Sequence, residues 1–243
     1  MNKPSKAALV IGAGDATGGA IARRFAREGF AACLTRRSAD KLAPLVERIG
    51  AEGGVAHGFG SDARDEAQVA ALFSVIERDI APIEVLVFNI GANVRFDVVD
   101  TTERVYRKVW EMAALAGFLV GREAARVMLP RGRGTIIFTG ATASLRGSAG
   151  FAAFASAKHA LRATAQSLAR EVGPRGIHVA HTVIDGAIDT AFIAENFPER
   201  YALKDRDGIL SPDAIADNYW HLHCQHRSAW THELDLRPWM EKF

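Results

Sequence analysis

The sequence predicts an α/β fold in which a doubly wound parallel sheet of about seven strands carries helices on both faces. Short apolar runs alternate with longer helical patterns along the chain, and such alternation is typical of parallel sheets. The runs are apolar enough for strands that are buried on both faces. The 243 residues, 49% of them apolar, include no linker rich in proline, glycine or serine. We therefore expect one domain over residues 1–243.

Each predicted element rests on a local pattern. Apolar runs predict strands at 7–12, 31–35, 55–59, 83–89, 134–139, 177–184 and near 232–236. Helical patterns predict helices at 18–28, about 38–52, 65–79, between 102 and 129, through 151–171 and near 212–224. Proline and glycine punctuate residues 187–212, which we expect to form a lid over the substrate site. Phe192, Phe197 and Tyr201 in this segment favour an apolar or aromatic ligand.

Composition narrows the possible partners and the expected compartment. The net charge of +2 provides no basic patch for nucleic acid. Two cysteines, Cys33 and Cys224, do not suggest a disulfide framework and agree with a reducing cytoplasm. No apolar run approaches the ~18 residues of a membrane span. We expect a cytoplasmic protein that binds neither nucleic acid nor membrane.

A glycine-rich turn follows the first predicted strand. The sequence GAGDATGGA places glycines between that strand and the next helix. Glycines at such a junction let the backbone approach a pyrophosphate, which the helix N-terminus then stabilises. The turn therefore predicts a Rossmann-like, dinucleotide-binding sheet.

From this turn onward the chain resembles the short-chain dehydrogenase/reductase family. The family's T-G-x-x-x-G-x-G turn matches IGAGDATG at 11–18, with Ala16 at the middle glycine. The family's D-x-[ST] segment resembles Ser61-Asp62-Ala63. Its N-N-A-G segment resembles residues 88–91. The late P-G-x-v-x-T segment resembles 185–190, with Asp185 in place of proline. The resemblance implies cofactor contacts from Gly12, Asp15, Thr17, Gly18, Arg36, Arg37, Asp62, Ala63, Asn89, Gly91, Lys158, Ile188 and Thr190.

Charge at the end of the second strand favours NADP(H) over NAD(H). Family members that use NAD carry an acid there, whereas this chain has Arg36 and Arg37. Guanidinium groups offer forked donors to a 2′-phosphate, and one charged hydrogen bond of this sort contributes roughly 1.5–3 kcal/mol. Two observations oppose this preference: Asp15 lies where NADP-preferring members often have a base, and arginines after strands are often solvated.

The family's catalytic relay is mostly missing. The resemblance implies a tyrosine that transfers the alcohol proton, a lysine four residues later, a serine that orients the carbonyl and an asparagine that anchors a water chain. The matching positions hold Phe154, Lys158, Ala141 and Ala113, so only the lysine is retained. Positioned acid–base catalysis contributes ~10²–10⁴-fold, so carbonyl reduction by the usual route should be crippled.

Neighbouring groups provide no obvious replacement. Thr142 and Ser144 carry hydroxyls near the serine position, and Asp185 brings a carboxylate toward the nicotinamide end. No tyrosine lies on the catalytic helix; the chain has tyrosines only at 106, 201 and 219. We interpret Phe154 as an apolar plug over an intact cofactor cleft, with Lys158 retained to bind the ribose.

The rest of the sequence bears on assembly and on metals. Alanines along 152–165 permit close helix contact, and the resemblance implies dimers or tetramers built on this helix and the one before it. We therefore expect a homodimer or homotetramer in which the face around Ala157 and Ala160 is buried between subunits. Histidines and a cysteine in HLHCQH (221–226) suggest a metal only weakly, because they do not share one helix face and no carboxylate lies at ligand spacing. We expect no metal, and consider interface or surface histidines instead.

Two hypotheses remain open at the level of sequence. The chain is either an NADP(H)-dependent oxidoreductase that works without the usual tyrosine, or a cofactor-binding sensor or structural subunit without hydride chemistry. Both predict a filled dinucleotide cleft, and they differ in whether anything oxidises bound NADPH.

Overall fold

The computed structural model describes residues 4–242, in which seven parallel strands form one sheet. The strands are β1 (Ala7–Ile11), β2 (Ala31–Arg36), β3 (Val55–Gly60), β4 (Ile83–Phe88), β5 (Gly134–Thr139), β6 (Ile177–Ile184) and β7 (Glu233–Leu236). Their order is β3-β2-β1-β4-β5-β6-β7, and every neighbouring pair is parallel. The prediction of a Rossmann-like, doubly wound α/β sheet is confirmed.

The helices lie where the periodicity predicts them, with some division into shorter pieces, except for two short helices within residues 187–212, where the sequence predicted none. They are α1 (Thr17–Arg27), α2 (Ala43–Ala51), α3 (Glu66–Val75), α4 (Glu103–Trp110), α5 (Ala116–Met128), α6 (Ala152–Val172), α7 (Ala191–Asn196), α8 (Pro198–Tyr201) and α9 (Pro212–Cys224). A π-helical turn, Glu111–Leu115, joins α4 to α5. Turns of this kind are frequent at functional sites, and this one carries Ala113.

Two apolar cores lie on the two faces of the sheet because successive strand side chains point in opposite directions. In β1, Leu9 belongs to the core beneath α3, α5 and α6, whereas Val10 belongs to the core beneath α1, α2 and α9. Strands buried on both faces account for the nearly continuous apolar runs in the sequence.

The connections reverse direction between β1 and β4. Strands β2 and β3 extend the sheet on one side of β1, and β4 to β7 extend it on the other. Ligands of open parallel sheets bind at such a switch point, beyond the carboxyl ends of the strands. Among the helices of residues 4–242, none combines the length and hydropathy that a membrane span requires.

Candidate functional site

The glycine-rich turn lies at this switch point and packs directly against the end of β4. Gly12 has a φ of +83°, and a Cβ there would stand 2.9 Å from the carbonyl oxygen of Asn89. A Cβ on Gly18 would stand 2.6 Å from the carbonyl oxygen of Gly12. Asn89 closes the arrangement, since its Nδ2 donates to the Gly12 carbonyl at 3.3 Å. Only glycine therefore fits at positions 12 and 18.

Helix α1 begins at this turn without a side-chain cap. Its N-cap residue is Ala16, which cannot accept from the first backbone N–H groups. Uncapped N–H groups and the positive end of the helix dipole together suit an anionic ligand. Thr17 is largely buried in the first turn, and Asp15 before it is exposed.

A cavity of about 180 Å³ extends from the turn toward the ends of β2 and β3. It is lined by Ile11, Gly12, Thr35, Arg36, Arg37, Ser61, Asp62, Ala63, Arg64, Ile90 and Met112. The structure thus brings together five of the predicted cofactor residues, which come from three separate connections. The Ser61 hydroxyl indicates that a ligand binds here, because its Oγ is buried and has no hydrogen-bond partner among the described residues.

Arg36 and Arg37 both reach this cavity, as the charge argument requires. The Arg36 guanidinium donates to the Lys41 carbonyl at 3.3 Å, and its Nη1 lies 3.7 Å from Oδ1 of Asp15. The Asp15 side chain is 90% exposed, so water and salt screen that ion pair. Asp15 therefore does little to neutralise the arginines.

A third arginine, Arg64, lines the same cavity and was not identified from the sequence. Its forked guanidinium holds Asp62, with Nε 2.9 Å from Oδ1 and Nη2 2.6 Å from Oδ2. These hydrogen bonds are the main cause that lowers the pKa of the Asp62 carboxyl. The spacing D-x-R in the β3–α3 connection was the available signal. The cavity is consequently lined by three guanidinium groups, one of which is paired with the Asp62 carboxylate.

Lys158 stands at the other end of the cleft, beside the carboxyl ends of β4 and β5. Its Nζ donates to the carbonyl of Thr139 at 2.8 Å and to that of Ile90 at 3.1 Å. The residue is 2% exposed, and burial lowers its pKa to about 8. The expectation that Lys158 is not a solvated surface lysine is confirmed. Gly91 follows Ile90 in this connection.

The three positions that the resemblance matches to the catalytic serine, tyrosine and asparagine meet in one apolar cluster. Ala113, Ala141 and Phe154 pack together with Val109, Ala153 and Ala157. Ala113 is fully buried and Phe154 is 7% exposed, with its ring centroid 5.9 Å from the Lys158 Nζ. Apolar packing thus surrounds the positions where the resemblance predicts a polar relay, and it lies next to Lys158.

Two of the hydroxyl groups near this cluster are engaged in the interior. Ser144 is fully buried, and its Oγ accepts from the backbone N–H of Ala141 at 3.1 Å. The phenol of Tyr219 is fully buried 2.8 Å from Oγ1 of Thr139, and burial raises its pKa to about 12. Neither group replaces the missing tyrosine.

Thr142 and Asp185 form a pair that the sequence did not reveal. The Thr142 hydroxyl donates to Oδ1 of Asp185, while Nη2 of Arg237 lies 3.6 Å from Oδ2. The pair joins the ends of β5 and β6 at the carboxyl edge of the sheet. Both residues were noted individually in the sequence, but nothing there indicated that they touch.

The segment 187–212 contains α7, α8 and a 3₁₀ turn, and it folds back on itself. Ile188 pairs with Leu210, and the Leu210 N–H donates to the Ala187 carbonyl at 2.8 Å. Thr190 caps α7, because its Oγ1 accepts from the Ile193 N–H at 3.2 Å. The predicted roles of Ile188 and Thr190 toward a cofactor stay predictions.

The alanines of α6 divide between the interior and the surface. Ala157 is fully buried inside the chain, so the expectation that it contacts another subunit is wrong. Ala160 is partly exposed, and Ala152 and Ala163 are exposed. The 3.6-residue period of the helix explains this, since Ala153 and Ala157 lie on the face turned toward the apolar cluster.

Within the histidine-rich segment, His223 packs against aromatic side chains of the same chain. His223 bonds Thr135 at 2.9 Å and contacts the rings of Phe25, Phe30 and Trp220. Burial lowers the pKa of His223 to about 4. In the part of the chain that the structure describes, no three histidine, cysteine or acidic residues are grouped to hold a metal ion. Trp230 stacks on His178 within the chain.

Comparison with known proteins agrees with this geometry. The family model described as short chain dehydrogenase matches residues 6–200. The 3-oxoacyl-[acyl-carrier-protein] reductase MabA of Mycobacterium avium is 32% identical over 186 residues, which cover 76% of this chain and 68% of that protein.

Solved structures are similar over nearly the full length. A short-chain dehydrogenase from Rhodopseudomonas palustris is 50% identical with a TM-score of 0.84, covering 97% of this chain and 99% of that one. A metagenomic short-chain oxidoreductase in complex with NADP is 25% identical with a TM-score of 0.82, covering 97% and 98%.

Proposed function

Because the chain belongs to the short-chain dehydrogenase family, whose members are oxidoreductases that bind NAD(P), we propose that it binds NADP(H) and works without tyrosine-based proton transfer. The observation that carries this proposal is the contrast between the two ends of the cleft. The phosphate end keeps Gly12 and Gly18 and is lined by three arginines, whereas side chains around Lys158 at the other end pack in an apolar cluster.

The residues present suit the dinucleotide. The uncapped start of α1 would hold the pyrophosphate, Arg36 and Arg37 the 2′-phosphate, and Ser61, Asp62 and Ala63 the adenine. When bound, the nicotinamide supplies or accepts a hydride. Lys158 would hold the nicotinamide ribose with its ammonium group, which is already positioned by two carbonyls. A 25% identical structural relative holds NADP, which supports the same choice here.

The substrate is proposed to be small and apolar. Phe192 and Phe197 on the lid segment pack edge to face, with centroids 6.1 Å apart, and remain 63% and 50% exposed. Exposed apolar side chains that lie together are typical of a surface that contacts a ligand or a partner. The alternative, a cofactor-binding sensor or structural subunit, is favoured by the apolar cluster itself. Oxidation of bound NADPH by any substrate of a broad panel distinguishes the two.

Cofactor preference is tested by Arg36→Asp. The wild type should bind NADPH about 10- to 100-fold more tightly than NADH, since a charged hydrogen bond contributes about 1.5–3 kcal/mol. The variant should lose or reverse this preference, because a carboxylate repels the 2′-phosphate. Fluorescence titration with both cofactors measures it.

The matched control is Arg78→Asp, which changes an exposed arginine paired with Asp79 outside the cavity. It should leave both affinities unchanged. Equal wild-type affinities for NADPH and NADH would refute the preference, and absence of binding to either would refute the proposed function.

A further inference from the structure

We propose that Thr142 and Asp185 form a hydrogen-bond acceptor site for a ligand that carries a hydroxyl group next to the nicotinamide. The inference rests on the proposed function, because it places the ligand in the same cleft. It concerns the ligand's chemistry: a hydroxyl group is selected, and a carbonyl group is disfavoured.

The first argument is the direction of the hydrogen bond. A threonine hydroxyl has one proton and two lone pairs. The proton of Thr142 is committed to Oδ1 of Asp185, so that hydroxyl presents lone pairs to any further partner. The family's serine would donate to a carbonyl oxygen, but Ala141 has no hydroxyl at that position. The site has therefore exchanged a donor for an acceptor.

The second argument is that the pair is built into the backbone. The Asp185 side chain is 10% exposed, and its N–H donates to the Leu236 carbonyl at 2.8 Å. The Arg237 guanidinium pairs with Asp235 and also lies 3.6 Å from Oδ2 of Asp185, while Oδ1 of Asp185 accepts from Thr142. Such a held carboxylate stabilises one orientation of the threonine hydroxyl.

The third argument is position. Thr142 is only partly buried and begins the turn that follows β5, three residues after Thr139, whose carbonyl accepts from Lys158. Its neighbours Ala141 and Ala143 pack into the apolar cluster, whereas the Thr142 hydroxyl turns toward β6. The acceptor thus lies at the carboxyl edge where open parallel sheets bind ligands, on the connection that begins with the Thr139 partner of Lys158.

A binding measurement that does not depend on turnover tests the inference. The probes are tertiary alcohols and the ketones of related carbon skeletons, such as 2-phenyl-2-propanol and acetophenone, in a panel of five pairs. Both are titrated calorimetrically against the NADP⁺ complex. Neither probe can react there, because the tertiary alcohol lacks a carbinol hydrogen and the ketone is already oxidised. At least one alcohol should bind tenfold or more tightly than its ketone.

Variants separate ligand recognition from a merely structural role. Thr142→Val should bring the alcohol-to-ketone affinity ratio near one, and Thr142→Ser should restore it. Asp185→Asn keeps an acceptor for Thr142 without the charge and should lower the ratio severalfold. Thr164→Val removes a hydroxyl that bonds the Ala160 carbonyl in α6, and it should leave the ratio unchanged.

The outcomes distinguish this inference from the proposed function. If no alcohol in the panel binds at least tenfold more tightly than its ketone, or if Thr142→Val preserves the ratio, the acceptor site is refuted although NADP⁺ binding stands. If Thr142→Val lowers only the melting temperature, the pair is structural and the inference is overturned. Failure to bind NADP⁺ at all would refute the proposed function instead.

Discussion

Substitution of the buried lysine should change how stability depends on pH. Lys158 is 2% exposed, and burial lowers its pKa from the usual 10.5 to about 8. Between these two values the unfolded chain binds more protons than the folded one, so the free energy of unfolding rises with pH. The full effect is about 3 kcal/mol, at about 1.4 kcal/mol for each tenfold change in proton affinity.

Lys158→Met removes this titration while it keeps an unbranched side chain. The variant leaves the carbonyls of Ile90 and Thr139 without their donor, at a cost of roughly 1–3 kcal/mol that hardly varies with pH. The measurable quantity is therefore the difference in unfolding free energy between variant and wild type. It should change by about 2 kcal/mol in favour of the wild type as pH rises from 7 to 9.5.

Urea denaturation of the cofactor-free protein at several pH values measures this difference. Other titrating groups are common to both proteins and cancel, and His181, whose pKa burial lowers to about 4, lies outside the pH range. A difference constant within about 0.5 kcal/mol over this range would refute the assignment of Lys158 as a lysine with a strongly lowered pKa.

The remaining predictions concern the catalytic positions and the assembly. The wild type should not reduce ordinary ketones and aldehydes. Phe154→Tyr returns a proton donor near Lys158, and Ala141→Ser returns a hydroxyl that orients the carbonyl. The double variant should therefore raise the rate of NADPH oxidation by more than the product of the two single effects. Wild-type turnover of such substrates at ~1 s⁻¹ or above, unaffected by Lys158→Met, would contradict the assignment and direct attention to Asp185. We also propose a homodimer or homotetramer built on the outer faces of α5 and α6, where Phe118 is 46% exposed and Ala163 is exposed; Ala163→Arg should dissociate it. Light scattering that shows a wild-type monomer at micromolar concentration would contradict this assembly.

The sequence by itself determined the fold and the phosphate end of the cleft. Apolar runs of strand length and the glycines between strand and helix are local signals, and the backbone at Gly12 and Gly18 requires glycine whatever the ligand. Arg36 is the last residue of β2 and Arg37 follows it, so the end of that strand places both at the cavity. Positions tied to a strand end are predictable because a parallel sheet brings those ends to one edge.

Only the tertiary structure decided how side chains from separate elements pair. Thr142 meets Asp185, 43 residues away in the chain, because β5 and β6 are neighbours in register. The orientation of α6 decided that Ala157 faces the interior while Ala163 remains on the surface. Hydrogen bonds in the folded chain engage Ser144 and Tyr219 inside it and pair the Thr142 hydroxyl with Asp185 at the carboxyl edge of the sheet. Sequence spacing contains no information on such contacts, since they depend on strand order, register and helix rotation together.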